Sequence, residues 1–234
     1  MMKSWEQFRY ALQIDLPIAL TYIALAMGFG VMMTANGYNW VWAGALSLFV
    51  YSGSIQFMAP IMLASGADLL GTAILTLMVN FRLLFYGISQ LQRYRGIQWF
   101  KKLYLIFALT DETFSLVSQD YLPVGIDQER FYFNVTILNH FFWISGSILG
   151  ALVGDLLPFS TQGIEFSLTA LFLVVVINQW EATQNHRPAI YGLIGGVVML
   201  GVLGPDQFIV PAMLAAITMI LVEHRLKGGR PDYV

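Results

Sequence analysis

Long apolar runs, punctuated by charged residues or by Pro and Gly, fill the chain. They predict helical segments near 16–34, 40–64, 69–90, 131–157, 164–183, 187–204 and 207–223. An eighth candidate, 103–119, carries Asp111 and Glu112 at its centre and reads as a full span, a half-helix or a re-entrant segment. Between Asp15 and Asp68 lie 52 consecutive residues without Asp, Glu, Lys, Arg or His. One membrane-spanning helix needs about 20 mostly apolar residues, so that stretch alone is long enough for two. The expected fold is an all-α polytopic membrane protein with about seven or eight hydrophobic segments, some broken or re-entrant. The pattern describes a single integral membrane domain over 1–234, with an N-terminal interfacial segment at 1–15 and a C-terminal tail at 224–234.

Orientation in a bilayer follows Lys and Arg in short loops. Arg93, Arg95, Lys101 and Lys102 cluster after the third segment, and Arg225, Lys227 and Arg230 end the chain. Both clusters should be cytoplasmic, so an even number of crossings separates them. The four segments after 131 supply that number, and segment 103–119 should then not cross fully. Upstream there is a conflict: three full crossings put the N-terminus outside, whereas Lys3 and Arg9 favour it inside. A discontinuous segment would resolve it, and 40–64 is the best candidate. Tyr51-Ser52-Gly53-Ser54 sets small and polar residues in the middle of that run. Irregular backbone at membrane depth is tolerated where it lines a cavity or is buried in protein, and it often builds transporter sites. The competing reading is a continuous helix that uses Gly53 and the serines for close packing. A faint echo, Leu48-Phe49-Val50 with Gln56-Phe57 against Leu171-Phe172-Leu173 with Gln179-Trp180, suggests an internal repeat.

Composition sharpens the class. The chain is 57% hydrophobic and 11% charged, against about 45–50% and about 25% in a soluble domain. A water-soluble globule is excluded, and no room remains for a soluble catalytic domain. A net charge of −2 offers no basic surface for phosphates, so nucleic acid is not an expected partner. The absence of cysteine removes disulfides, thiolate metal sites and cysteine nucleophiles. There is no His-Glu-x-x-His, Walker loop or Gly-x-Gly-x-x-Gly, so no enzyme activity, metal or cofactor is expected.

An ionisable side chain deep in a bilayer costs a few kcal/mol on insertion scales and needs a partner or a function. Arg82, in Val79-Asn80-Phe81-Arg82, lies about thirteen residues into the run that begins at Leu69 and can grip a carboxylate through two parallel hydrogen bonds. Asp111 and Glu112 can bind an ammonium group or carry a proton. Two uses stay open: a substrate site, or a structural ion pair between Arg82 and one of the acids. Gln56 and Asn80 are neutral donors and acceptors that also serve as interhelical glue. His140 reads as a packing or interfacial histidine, and Asp155, Glu165 and Glu181 as interfacial acids. Gly146, Gly150 and Gly154 form a stripe at which another helix can approach closely, within the chain or in a partner subunit.

Several segments together resemble the AzlC family, the large subunit of bacterial branched-chain amino acid exporters. They are Tyr51-Ser52-Gly53-Ser54-Ile55-Gln56-Phe57, Val79-Asn80-Phe81-Arg82, Leu109-Thr110-Asp111-Glu112-Thr113-Phe114, the glycines between Trp143 and Gly154, and Gly163-Ile164-Glu165-Phe166. The resemblance covers roughly Leu16 to Trp180. Leu83 stands where the family often has a histidine, and Glu165 where aspartate is more usual, so no proton role at 83 carries over. The resemblance implies a multi-pass protein of the bacterial inner membrane that exports hydrophobic amino acids such as valine, leucine and isoleucine. It also implies a small AzlD-type membrane subunit as partner. On that basis Ser52, Gly53, Ser54, Gln56, Asn80, Arg82, Asp111 and Glu112 form the candidate substrate site. Arg82 would take the carboxylate, Asp111 or Glu112 the ammonium group or a coupling proton, and Ser52, Ser54 and Gln56 would line a helix break. A channel, a non-transporting scaffold and, more remotely, an intramembrane hydrolase using Ser54 are the competing classes.

Overall fold

The computed structural model describes residues 3–119, 122–156, 173, 176, 177, 180, 185–204 and 208–226. Two compact units divide the chain, Met1–Leu168 and Thr169–Val234. Every regular element among the described residues is a helix. Much of the predicted segment 164–183, with Gly163, Glu165, Glu181 and most of the second half of the repeat echo, lies outside the described residues, as do Asp206, Lys227 and Arg230.

The first unit is built on two long helices, α1 (Ser4–Ala35) and α8 (Gln128–Leu156). Both are long and apolar enough to cross a membrane. Burial on α1 follows the helical period through Gln7, Ala11, Asp15, Ala19, Tyr22, Ala26, Gly30 and Met33, which defines one inward stripe. That stripe lies along α8 in parallel register. Tyr10 meets Phe131, Tyr22 meets Trp143, and Gly154 faces Val31 and Thr34. The contact is close because glycines face it from both sides. A Cβ on Gly150 would fall 2.1 Å from the Met27 carbonyl oxygen, and one on Gly30 would fall 2.1 Å from that of Ser147. The glycine stripe therefore serves packing within this chain.

Between these helices the chain is discontinuous. The run 40–64 splits into α2 (Trp40–Phe49) and α3 (Gly53–Ser65). Gln56 Nε2 donates to Ser47 Oγ at 2.9 Å across the break, a distance a continuous helix could not give nine residues apart at 1.5 Å rise. Phe57 packs on Phe29, nearer the end of α1 at which α2 begins. Thus α2 and α3 form a hairpin that enters from the C-terminal end of α1, turns near mid-depth and returns. The run 69–90, expected as one segment, divides at Asn80 into α4 (Leu69–Val79) and α5 (Phe81–Gln90), which meet at 50°.

The ambiguous segment 103–119 is also a hairpin, of α6 (Trp99–Phe107) and α7 (Asp111–Val117). Its two ends lie near the start of α8: Lys101 pairs with Glu129, and Gln119 accepts from Arg93 in the α5–α6 turn. Its tip reaches the middle of the long helices, where Thr110 meets Tyr22 and Thr113 meets Asn139. Each arm is at most nine residues, or about 14 Å at 1.5 Å per residue, half of a hydrocarbon core about 30 Å thick. The hairpin thus enters and leaves at one end of the unit, as the charge count requires. The hairpin at 40–64 removes the orientation conflict, since Lys3, Arg9, Arg93, Arg95, Lys101 and Lys102 now fall at the same end. A core of Ala11, Tyr94, Leu105, Val117, Phe131 and Val135 closes that end.

The second unit contains α9 (Arg187–Leu203) and α10 (Ile209–Leu226), apolar helices packed as an antiparallel pair. Arg187 at the start of α9 pairs with Glu223 near the end of α10, and Tyr191 Oη donates to Glu223 at 2.8 Å. The expected seven or eight segments thus resolve, among the described residues, into two uninterrupted membrane-length helices, a third if α4–α5 is one span, and shorter or divided elements.

Candidate functional site

Three helix breaks converge near the middle of α1 and α8: Val50-Tyr51-Ser52, Asn80, and Ala108-Leu109-Thr110. A break leaves backbone groups without intrahelical partners, which is costly away from water, so polar side chains gather there. Thr110 accepts from the Thr113 backbone N–H at 3.2 Å and caps α7. Ser52 Oγ donates to Asn80 Oδ1 at 2.7 Å, joining the first break to the second. Tyr51 turns the chain with φ of +42°, in the left-handed region that residues with a Cβ rarely adopt. Burial and the His140 ring, 4.2 Å away between centroids, hold it there.

The breaks bring charges together. α5 and α7 run side by side with Arg82 beside Asp111, Tyr86 stacked on Phe114 at 4.2 Å, and Gln90 donating to Ser118. Arg82 Nη2 lies 2.9 Å from Asp111 Oδ2, and both side chains stay about one-third exposed. The pair is joined through one oxygen and one nitrogen: Arg82 Nε and Asp111 Oδ1 make no ordinary hydrogen bond. The contact is therefore single-pronged rather than bidentate, and the Tyr86 hydroxyl also lies beside the Asp111 carboxylate. Glu112 points elsewhere, accepting from Tyr22 Oη at 2.7 Å.

The candidate residues therefore separate. Ser52 with Asn80, Arg82 with Asp111, and Glu112 with Tyr22 lie at the converging breaks. Gln56 is fully buried and engaged on both ends, accepting from Trp143 Nε1 at 2.9 Å and donating to Ser47. Gly53 lies against Trp143, where an added Cβ would sit 3.3 Å from the ring. Ser54, in the first turn of α3, is partly buried. His140 is a packing residue with both nitrogens occupied, Nδ1 3.1 Å from Tyr104 Oη and Nε2 3.2 Å from the Ser47 carbonyl. An apolar groove of about 440 Å³ runs beside Asn80, walled by Leu83, Leu84, Gly87, Phe107 and Leu109.

Sequence reasoning passed over Asp15, Tyr22, Tyr51 as a side chain, and Asn139. By its place in the sequence Asp15 marks the boundary of the first apolar run, yet it is wholly buried in the middle of the α1 stripe. The signal was available: Asp15 sits four residues from Ala11 and from Ala19, on the face that small residues mark for close packing.

The fold and the site define a helical membrane protein with charged and hydroxyl groups gathered at breaks in its helices. The chain belongs to the AzlC family, whose model, described as AzlC protein, matches residues 17–157. It is 39% identical to the branched-chain amino acid transport protein AzlC of Bacillus subtilis, over 94% of this chain and 87% of that one. It is 36% identical to an uncharacterized membrane protein of Helicobacter pylori, over 94% and 96%. The inner membrane protein YgaZ of Escherichia coli is 27% identical over 93% and 91%. No solved structure matches the chain significantly.

Proposed function

We propose that the chain is the large subunit of a secondary transporter that exports branched-chain or other hydrophobic amino acids across the bacterial inner membrane. In this reading a small AzlD-type membrane subunit completes it. The likeness to a branched-chain amino acid transport protein over nearly the whole length supports the substrate class. The observation that carries the mechanism is the single-pronged, partly exposed Arg82–Asp111 pair at the converging breaks.

A zwitterionic amino acid presents one carboxylate and one ammonium group a few ångströms apart. It can exchange with the internal pair without leaving a charge unmatched: Arg82 takes the carboxylate through two nitrogens, and Asp111 takes the ammonium group. Because an ion pair replaces an ion pair, the substrate does not have to drive apart two charges that then lack partners, the step that makes breaking a buried pair costly. The groove at Asn80, apolar over most of its wall, suits an aliphatic side chain. Ser52 and Asn80, which tie the first two breaks, are placed to report substrate arrival to the α2–α3 hairpin. The end of the first unit that carries Lys3, Arg9, Arg93, Arg95, Lys101 and Lys102 is the cytoplasmic end, and the C-terminus with Arg225 is cytoplasmic too.

The test is efflux of labelled valine, leucine and isoleucine from cells expressing this chain, the small subunit, or both. Saturable efflux is expected only with both. Arg82→Ala in an assembled complex should reduce efflux by about tenfold or more, the equivalent of a charge-assisted contact worth about 1.5–3 kcal/mol. Wild-type efflux by Arg82→Ala would show that the guanidinium does not hold the substrate.

A further inference from the structure

Asp15 is a wholly buried acid of the first unit, and neither of its carboxyl oxygens makes an ordinary hydrogen bond. Its α1 stripe neighbours are Ala11 and Ala19, both buried. The polar side chain beside it is Asn139 of α8, itself wholly buried, whose Oδ1 makes no ordinary hydrogen bond. A bare carboxylate in such a place is a large cost unless a cation joins it. Hard metal ions in proteins gather about six or more oxygens, and among the described residues no group of three or more His, Cys, Asp or Glu could hold one. A proton needs no such shell.

The side chain beside Asp15, Asn139, is bonded to the hairpin tip. Asn139 Nδ2 donates to Thr113 Oγ1 at 3.2 Å. Thr110 Oγ1 lies 3.1 Å from Thr113 Oγ1 and is also bonded to Tyr22 Oη, which donates to Glu112 at 2.7 Å. The run Asn139, Thr113, Thr110, Tyr22 thus leads from the Asp15 pocket to Glu112 through three elements: α8, the tip of the α6–α7 hairpin, and α1. The other titratable groups around it are Tyr51 at the α2–α3 tip, whose hydroxyl is buried without an ordinary hydrogen bond, Asp111, held by Arg82, and His140, held by Tyr104 and Ser47.

The geometry points to Asp15 as the proton-carrying group of the transport cycle, coupled to Glu112 through the Asn139–Thr113–Thr110–Tyr22 network. This rests on the transporter reading of the chain. One proton is taken from water on one side of the membrane, rests on the Asp15 carboxyl while the α6–α7 tip is docked against α1 and α8, and returns to water on the other side. No other bond forms or breaks. Movement of the hairpin tip would break the Thr113–Asn139 and Thr110–Tyr22 contacts together, so substrate at Arg82–Asp111, one residue from Glu112, is joined mechanically to the state of Asp15.

The experiment is infrared difference spectroscopy on the purified full-length complex, wild type, Asp15→Asn and Glu112→Gln, reading the carbonyl stretch of protonated carboxyls. The same proteins go into liposomes for valine flux. A protonated carboxyl band at neutral pH should be present in wild type and Glu112→Gln and be lost in Asp15→Asn. In liposomes Asp15→Asn should keep valine exchange but lose efflux driven by a pH gradient. An unchanged band in Asp15→Asn, or full gradient-driven efflux, overturns the assignment. If Asp15→Asn does not accumulate, Asp15→Glu should shift the band, and an unshifted band overturns it equally. A wild-type complex that moves no valine would remove the transporter reading and the coupling role, while the spectrum would still decide whether Asp15 carries a proton.

Discussion

Gly150→Ala tests the central packing claim of the first unit with a single methyl group. The new Cβ would lie 2.1 Å from the Met27 carbonyl oxygen and 2.5 Å from Met27 Cα, where ordinary contact begins near 3.4 Å. Both neighbours are backbone, so no side chain can rotate away and the helices must separate by more than about 1 Å. A gap of about 0.5–1 Å already forfeits a quarter to a half of each dispersion contact it opens, and overpacking of this kind costs about 1–3 kcal/mol, occasionally more. Alanine returns up to about 1 kcal/mol through helix propensity. Gly192 and Gly196 in α9 have nothing within 4 Å of an added Cβ, so the same substitution there gives the propensity gain without the clash. At roughly 2–4 °C per kcal/mol for a chain of this size, Gly150→Ala should melt several degrees below wild type, and Gly192→Ala at or above it. Thermal unfolding in one detergent, followed by helical circular dichroism, reads both. If Gly150→Ala melts with Gly192→Ala, α1 and α8 are not seated as closely as the parallel register requires.

Three other substitutions probe the site. Exchanging the charges in Arg82→Asp with Asp111→Arg should restore the accumulation lost in either single variant but not amino acid export; restored export would make the pair purely structural. Gln56→Leu leaves the Trp143 indole N–H without an acceptor, and should destabilise the protein by about 1–3 kcal/mol with export lost only in proportion to the folded protein; a stable variant with weakened substrate affinity would instead place Gln56 at the substrate. Tyr51→Gly should be more stable than Tyr51→Ala by about 1 kcal/mol, because both lose the ring but only glycine adopts the left-handed backbone freely; equal melting points would show that the turn at 51 relaxes when the ring is removed.

The helical membrane class and the break at 40–64 were legible because apolar runs and mid-run polar residues are local signals. The division at Asn80 was not, since a lone Asn in a run of Leu, Val and Phe looks the same whether it bends a helix or bonds across an interface. The hairpin at 103–119 was legible only through charge counting; its arms are shorter than a span, so hydropathy alone could not separate one crossing from two half-depth arms. Asp15 is not legible as a deep acid, because position near the edge of an apolar run looks the same as position near the edge of the membrane. α1 begins at Ser4, eleven residues before Asp15, which moves the acid about 16 Å into the helix.

In the transporter reading, the residues available to a substrate are those left after the fold's own needs are met. Gln56 satisfies Trp143 and Ser47, Thr110 caps α7, Asn80 receives Ser52, and His140 is used at both nitrogens. Each of these polar groups is as conspicuous in the sequence as Arg82, yet taking any of them for a ligand would strip a partner from the protein at a depth where water cannot replace it. Arg82 Nε, Asp111 Oδ1, the Tyr51 hydroxyl and both oxygens of Asp15 keep unused capacity. The first two belong to the Arg82–Asp111 ion pair and the last two to Asp15, wholly buried on the α1 stripe. In the proposed transporter reading, Arg82–Asp111 is the charged pair that changes partners and Asp15 the acid that changes its charge.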